Sequence, residues 1–181
     1  MYLYYGGVFI LKRKNREQLL FISISAAMAA LSVVFTRFLG FAPEGTPFRF
    51  EIGFLPIAIA AYAAGPIYAA GAYVTADVIG SFFSGYAPNL WITAAQLISG
   101  ILMGIFFKRK HSFARVIICF SIIAVLVEVL IKSPVFVFMY AWTWGFTLST
   151  RALNSLINLP IRILFYYFTL KAIKKPLDQL L

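Results

Sequence analysis

The chain has little with which to do chemistry. Its 181 residues include one cysteine, one histidine and six carboxylates. A single cysteine, Cys119, excludes an intramolecular disulfide. With one histidine and scattered carboxylates there is no metal-ligand spacing, and no nucleophile–base pairing can be drawn. No cofactor is expected. A glycine loop ending in Gly-Lys-Ser or Gly-Lys-Thr is also missing, so the chain does not itself hydrolyse ATP by the usual route. Charge is scarce too: 12% of residues are charged, where soluble domains carry about a quarter.

What is present is apolar. Hydrophobic residues make up 62% of the chain and the mean hydropathy is +0.88, a composition that a water-soluble globule of this size cannot hide. The expectation is an all-α integral membrane protein. At ~20 residues per span, the length suits a compact bundle of six transmembrane helices with no soluble domain. The net charge of +10 is not spread as a nucleic-acid surface would require. It is concentrated in Lys12-Arg13-Lys14-Asn15-Arg16, Lys108-Arg109-Lys110-His111 and Lys171 to Lys175, each at the end of an apolar run. That is the positive-inside pattern of cytoplasmic loops, and it excludes nucleic acid as a partner. His111 reads as a solvated residue of such a loop.

Residues 1–17 read as a cytoplasmic lead-in, and spans are expected at about 19–40, 51–64, 67–83, 90–107, 113–131 and 151–172. The first carries Ser25/Ala29 and Ala26/Ala30, small residues four apart that permit close helix packing. Ala26 and Ala30 serve either internal packing or the docking of another subunit. Between spans two and three lies Gly65-Pro66. Residues 133–150 are apolar and aromatic enough to pass for a seventh span. The basic loop at 108–110 and the basic tail at 171–175 must share a side, which needs an even number of crossings between them. The segment is therefore expected to lie over the outer mouth, with both termini cytoplasmic.

Two polar features interrupt the apolar sequence. Asp77 sits in the middle of span three, where lipid cannot solvate a carboxylate. Arg151, Asn154, Asn158 and Arg162 are spaced three, four and four, which puts them on one helix face. A buried polar network is the reading for Asp77, Asn158 and Arg162, with Arg162 against Asp77 as one candidate pair. Nearer the outer mouth, Arg151 and Asn154 read as ligand contacts. The outer ends of spans three and four add Tyr86, Asn89, Trp91 and Gln96, the loop before span two adds Arg49, and the aromatic segment adds Tyr140, Trp142 and Trp144. Flat aromatic faces bury a ring, amides read its edge, and arginine pairs with carboxylate in a bidentate fork. An interfacial aromatic belt is the alternative for the tryptophans. Together these residues point to a small, ring-containing, anionic ligand.

The stretch Arg49-Phe-Glu-Ile-Gly-Phe-Leu-Pro-Ile57, the Gly65-Pro66 turn, Gly71, Asp77, Gly80 and Pro88-Asn-Leu-Trp-Ile-Thr-Ala94 resemble the folate-family substrate-binding (S) components of bacterial energy-coupling factor vitamin transporters. The alanines from Ala26 to Ala30 are similar to the motif by which such components dock on their partner, and Arg151 to Ile161 resembles the family's last helix. Where folate-family members usually show Pro-Gly-Phe, this chain has Pro88-Asn89-Leu90. The resemblance implies a high-affinity vitamin binder in a bacterial cell membrane, working with a transmembrane coupling subunit and two ATPase subunits. It implies no enzymatic activity. Folate is the vitamin suggested; pantothenate or a pyrimidine- or purine-like compound are alternatives. From another class, a structural membrane subunit or an intramembrane enzyme would fit the hydropathy, the enzyme with Asp77 and Arg162 as its reactive pair.

Overall fold

The computed structural model describes residues 3–40, 50–85, 87–110 and 112–180, with side chains there except at 3–14, 140 and 180. Among the described residues the regular structure is helical. The elements are α1 (Leu3–Phe38), α2 (Phe54–Ala64), α3 (Pro66–Phe83), α4 (Leu90–Phe107), α5 (Phe113–Ile122), α6 (Ser133–Tyr140) and α7 (Trp144–Leu180). A π-helical segment, Ile123–Ile131, continues α5 towards α6.

The bundle is assembled around α2. Its sequence, FLPIAIAAYAA, is apolar on every side, and a helix of that kind belongs in an interior. All 11 of its residues are buried, with α1, α3, α4 and α7 packed around it. At ~1.5 Å per residue, its 11 residues extend about 17 Å, short of the ~30 Å apolar layer of a bilayer. The expected second span is thus a short central helix. Four helical runs are long and apolar enough to cross a membrane: Asn15–Phe38, Leu90–Phe107, Phe113–Met139 and Trp144–Gln179. The chain is a multi-pass membrane protein by that measure.

Small residues set the closest helix contact. Gly65 has φ +92°, a conformation that side chains strain against, and Pro66 then opens α3, where a missing N–H costs nothing. This turn lies against α4. A Cβ on Gly104 would meet Pro66 Cα at 2.1 Å, and one on Gly100 would meet Ala70 Cα at 2.6 Å. Gly71, by contrast, has open space beside it.

The helix bounds also differ from the sequence reading, and at the C-terminal end α7 runs on through the basic tail to Leu180. Backbone helix runs from Leu3 through the basic cluster into α1, so the expected lead-in and first span share one element. The aromatic segment 133–150 is divided between two. Its first half forms α6, with Pro134 tolerated in the opening turn, and its second half opens α7. Ala141, left-handed at φ 53°, makes the break.

The glycine contact predicts an asymmetry. Gly104→Ala forces α3 and α4 apart and lowers stability by ~1–3 kcal/mol, the usual cost of overpacking. Gly71→Ala leaves stability unchanged or raises it slightly. Thermal unfolding of the two variants in detergent separates them, and equal melting temperatures would contradict the contact.

Candidate functional site

A cavity of about 590 Å³ lies between α1, the start of α2, α3, α4, the π-segment, α6 and α7. Its size falls in the range of small-molecule sites, ~300–1,000 Å³. The lining is unusually charged for the interior of an apolar bundle. Arg37, Lys132, Arg151 and Arg162 face it, as do Glu51, Asp77 and Glu128.

Glu128 is the focus of this charge. It sits in the π-segment, where each turn takes one more residue than in an α-helix and backbone N–H groups reach one position further back; Lys132 N donates to Val127 O at 3.0 Å. Glu128 Oε1 accepts from Lys132 Nζ at 3.0 Å and from Arg162 at 3.4 Å. Its Oε2 lies 3.7 Å from Arg151. Arg162 also reaches Glu51, at 3.8 Å. Two helical elements, the π-segment and α7, are thereby tied through one buried carboxylate. Arg151 is further held by Phe136 on α6, whose ring centroid is 3.8 Å from its guanidinium carbon, a cation–π contact.

The partner of Arg162 is therefore Glu128, with Glu51, and not Asp77. The Asp77 carboxylate instead accepts the Thr93 hydroxyl at 2.7 Å, across the α3–α4 contact. Asn158 lines the cavity and donates to Asn154 Oδ1 at 2.6 Å. Gln96 Oε1 and Arg162 Nε are buried at the cavity without a hydrogen-bond partner among the described residues.

Of the residues expected to touch ligand, Asn89, Gln96, Trp142, Arg151 and Asn154 line the cavity. Asn89 also has a structural part to play. Its side chain caps α4, accepting from the backbone of Trp91 and Ile92, and its amide reaches Met139 Sδ at 2.6 Å. Trp142 packs at an angle to Phe136 and edge-on to Phe146, with centroids 5.5 and 5.3 Å apart. Trp91 and Trp144 are not part of the lining. Trp91 is 56% exposed, and its indole N–H donates to the Ile131 carbonyl at 2.7 Å, strapping α4 to the end of the π-segment. Trp144 is half-exposed and meets Phe138 edge-on. Arg49 and Tyr86 lie outside the described residues, as does the side chain of Tyr140.

On α1 the two small-residue pairs separate. Ser25 and Ala29 face the core, while Ala26 and Ala30 are exposed. The residues missed from the sequence are Glu128, Lys132, Glu51 and Phe136. Glu128 could have been found by the reasoning that picked out Asp77, because it too is a carboxylate inside an apolar run, with a cation four residues on.

No protein-family model matches the chain. Among curated proteins it is 29% identical over 155 residues to the "Folate transporter FolT" of Clostridium novyi (strain NT), covering 83% of this chain and 87% of that protein. The chain resembles a folate transporter. A solved structure, "Crystal structure of FolT bound with folic acid", superposes with a TM-score of 0.71 at 23% identity, over 81% of this chain and 88% of that one. At that identity the likeness establishes a shared fold, and the resemblance read from the Gly65-Pro66, Asp77 and Pro88 region holds over most of the chain.

Removing Glu128 would leave Lys132, Arg151 and Arg162 facing one another. Stranding buried charge in this way costs about 3–5 kcal/mol. Glu128→Ala should therefore lower the melting temperature far more than Trp144→Ala, whose side chain is half in the surroundings. Equal melting temperatures for the two variants in detergent would refute this assignment of Glu128.

Proposed function

We propose that the chain is a substrate-binding (S) component of an energy-coupling factor transporter, capturing folate or a close relative outside a bacterial cell. The observation that carries this reading is the cavity of about 590 Å³, lined by Arg151, Lys132, Phe136, Trp142 and a row of amides, on a fold shared with a folate transporter. Folate is a flat heteroaromatic ring joined through an aryl amide to two carboxylates. Aromatic side chains cover such a ring, and arginine and lysine pair with the carboxylates. The role is binding and not catalysis.

Six membrane helices, with α2 as a short one enclosed by the others, and both termini cytoplasmic fit the three basic clusters. Uptake then proceeds as the resemblance implies. Ligand enters from outside, is enclosed, and is released inward when a transmembrane coupling subunit and two ATPase subunits reorient this component. Such coupling requires that outward and inward states differ in affinity. The exposed Ala26 and Ala30 provide a flat face on α1 for that coupling subunit.

Titration calorimetry with folic acid on the purified protein tests the ligand. Loss of a charge-assisted hydrogen bond costs ~2–5 kcal/mol, so Arg151→Ala weakens binding roughly 30- to several-thousand-fold. Trp142→Ala also weakens it by removing stacking area, and Trp144→Ala leaves it near native. An unchanged affinity in both Arg151→Ala and Trp142→Ala would place the site elsewhere.

The docking face has its own test. Ala26→Trp abolishes co-purification with the coupling subunit and transport, while the isolated chain still binds ligand. Loss of folding and ligand binding instead would make the face an internal one.

A further inference from the structure

We infer that Asp77 and Gln96 form an acceptor pair that reads the hydrogen-bond-donating edge of the ligand's ring, a deepening that rests on the folate reading above. Three observations converge on it. First, Asp77 lines the cavity, and the hydrogen bond its carboxylate receives from the described residues is that of the Thr93 hydroxyl at 2.7 Å. Three of the cavity's cations are engaged elsewhere: Lys132, Arg151 and Arg162 converge on Glu128. A carboxylate in an apolar bundle with one neutral donor and no ion pair among the described residues is costly, unless a ligand brings donors to it.

Second, Gln96 Oε1 is buried at the same cavity and has no hydrogen-bond partner among the described residues. An unmet buried acceptor costs about as much as a lost hydrogen bond. Third, the two groups are linked through α4. Thr93 bonds Asp77, and Gln96 follows Thr93 by three positions on α4, so both project from the same helix face. The close α3–α4 contact at Gly100 and Gly104 keeps Asp77 against that face.

Two acceptors side by side are complementary to two donors side by side. The amidine-type edge of a 2-amino-4-oxopteridine offers that pattern, a ring N–H next to an exocyclic amino group. The cavity is then polarised along its length. The ring's donor edge meets α3 and α4, and the carboxylate end meets Arg151 and Lys132. Sites built to hydrogen-bond a donor discriminate strongly against analogues that lack it, because their own groups are left unpaired.

The test compares folic acid with its 2-desamino-2-methyl analogue, by calorimetry or tryptophan quenching, on the full chain in detergent. The unaltered protein prefers folic acid. Asp77→Asn weakens folic acid roughly 10- to 150-fold, the range for a hydrogen bond to a charged group. It weakens the analogue little, so the preference collapses. Gln96→Leu, with the smaller neutral bond, lowers the preference about 2- to 10-fold. A structural role would weaken both ligands equally and leave their ratio intact, and that outcome in either variant overturns the proposal. Should Asp77→Asn fail to fold, the ratio in Gln96→Leu decides. Failure of the unaltered chain to bind either compound would instead overturn the folate reading, and this inference with it.

Discussion

A single carboxylate, Glu128, holds the polar interior together. It draws Lys132, Arg151 and Arg162 to within 3.0 to 3.7 Å in a part of the molecule surrounded by apolar sequence. Each of those cations alone would be costly to bury. Paired with Glu128, and in Arg162's case also with Glu51, they are fixed at the cavity wall. The arrangement need not add net stability, since buried ion pairs offset their desolvation only in good geometry. What it does contribute is position. Arg151 on α7 is pinned between Glu128 on the π-segment and the ring of Phe136 on α6, so three elements share one orientation at the mouth.

The apolar half of the bundle makes that arrangement possible. Because α2 is buried on all sides, the surrounding helices form a shell, and the space left between them on one side becomes the cavity. The glycine contact between α3 and α4 brings Asp77 to Thr93. Across the cavity, Asn89 meets Met139 and Trp91 meets the Ile131 carbonyl. These contacts join the start of α4 to α6 and the π-segment, so that end of the bundle is braced by side chains that composition alone would assign to a ligand or a membrane interface.

Much of the architecture was legible in the chain. Apolar run length, the 108–110 cluster and Gly65-Pro66 marked where helices lie and some of their ends, because burial and backbone conformation are local demands, whereas the basic clusters at 12–16 and 171–175 fall inside α1 and α7. The stripe Arg151, Asn154, Asn158 and Arg162 was readable from spacing for the same reason, and all four residues line the cavity. Asn89 and Trp91 were harder. Each has chemistry suited to a ligand, yet Asn89 caps a helix and Trp91 braces one. Spacing shows which face a residue occupies but not what lies opposite.

Composition and periodicity by themselves determined that this chain folds as helices in a membrane, since apolar runs of this length satisfy their backbone in lipid by coiling into helices. They also placed Asp77 and the arginines away from lipid, because lipid cannot hold them. Only the tertiary structure decided which charges meet. Glu128 and Arg162 are 34 residues apart in sequence, and nothing local distinguishes Glu128 from Asp77 as the partner of Arg162. That choice depends on the register between α7 and the π-segment and on the glycine-set approach of α3 to α4, and both are properties of packed helices rather than of any one of them.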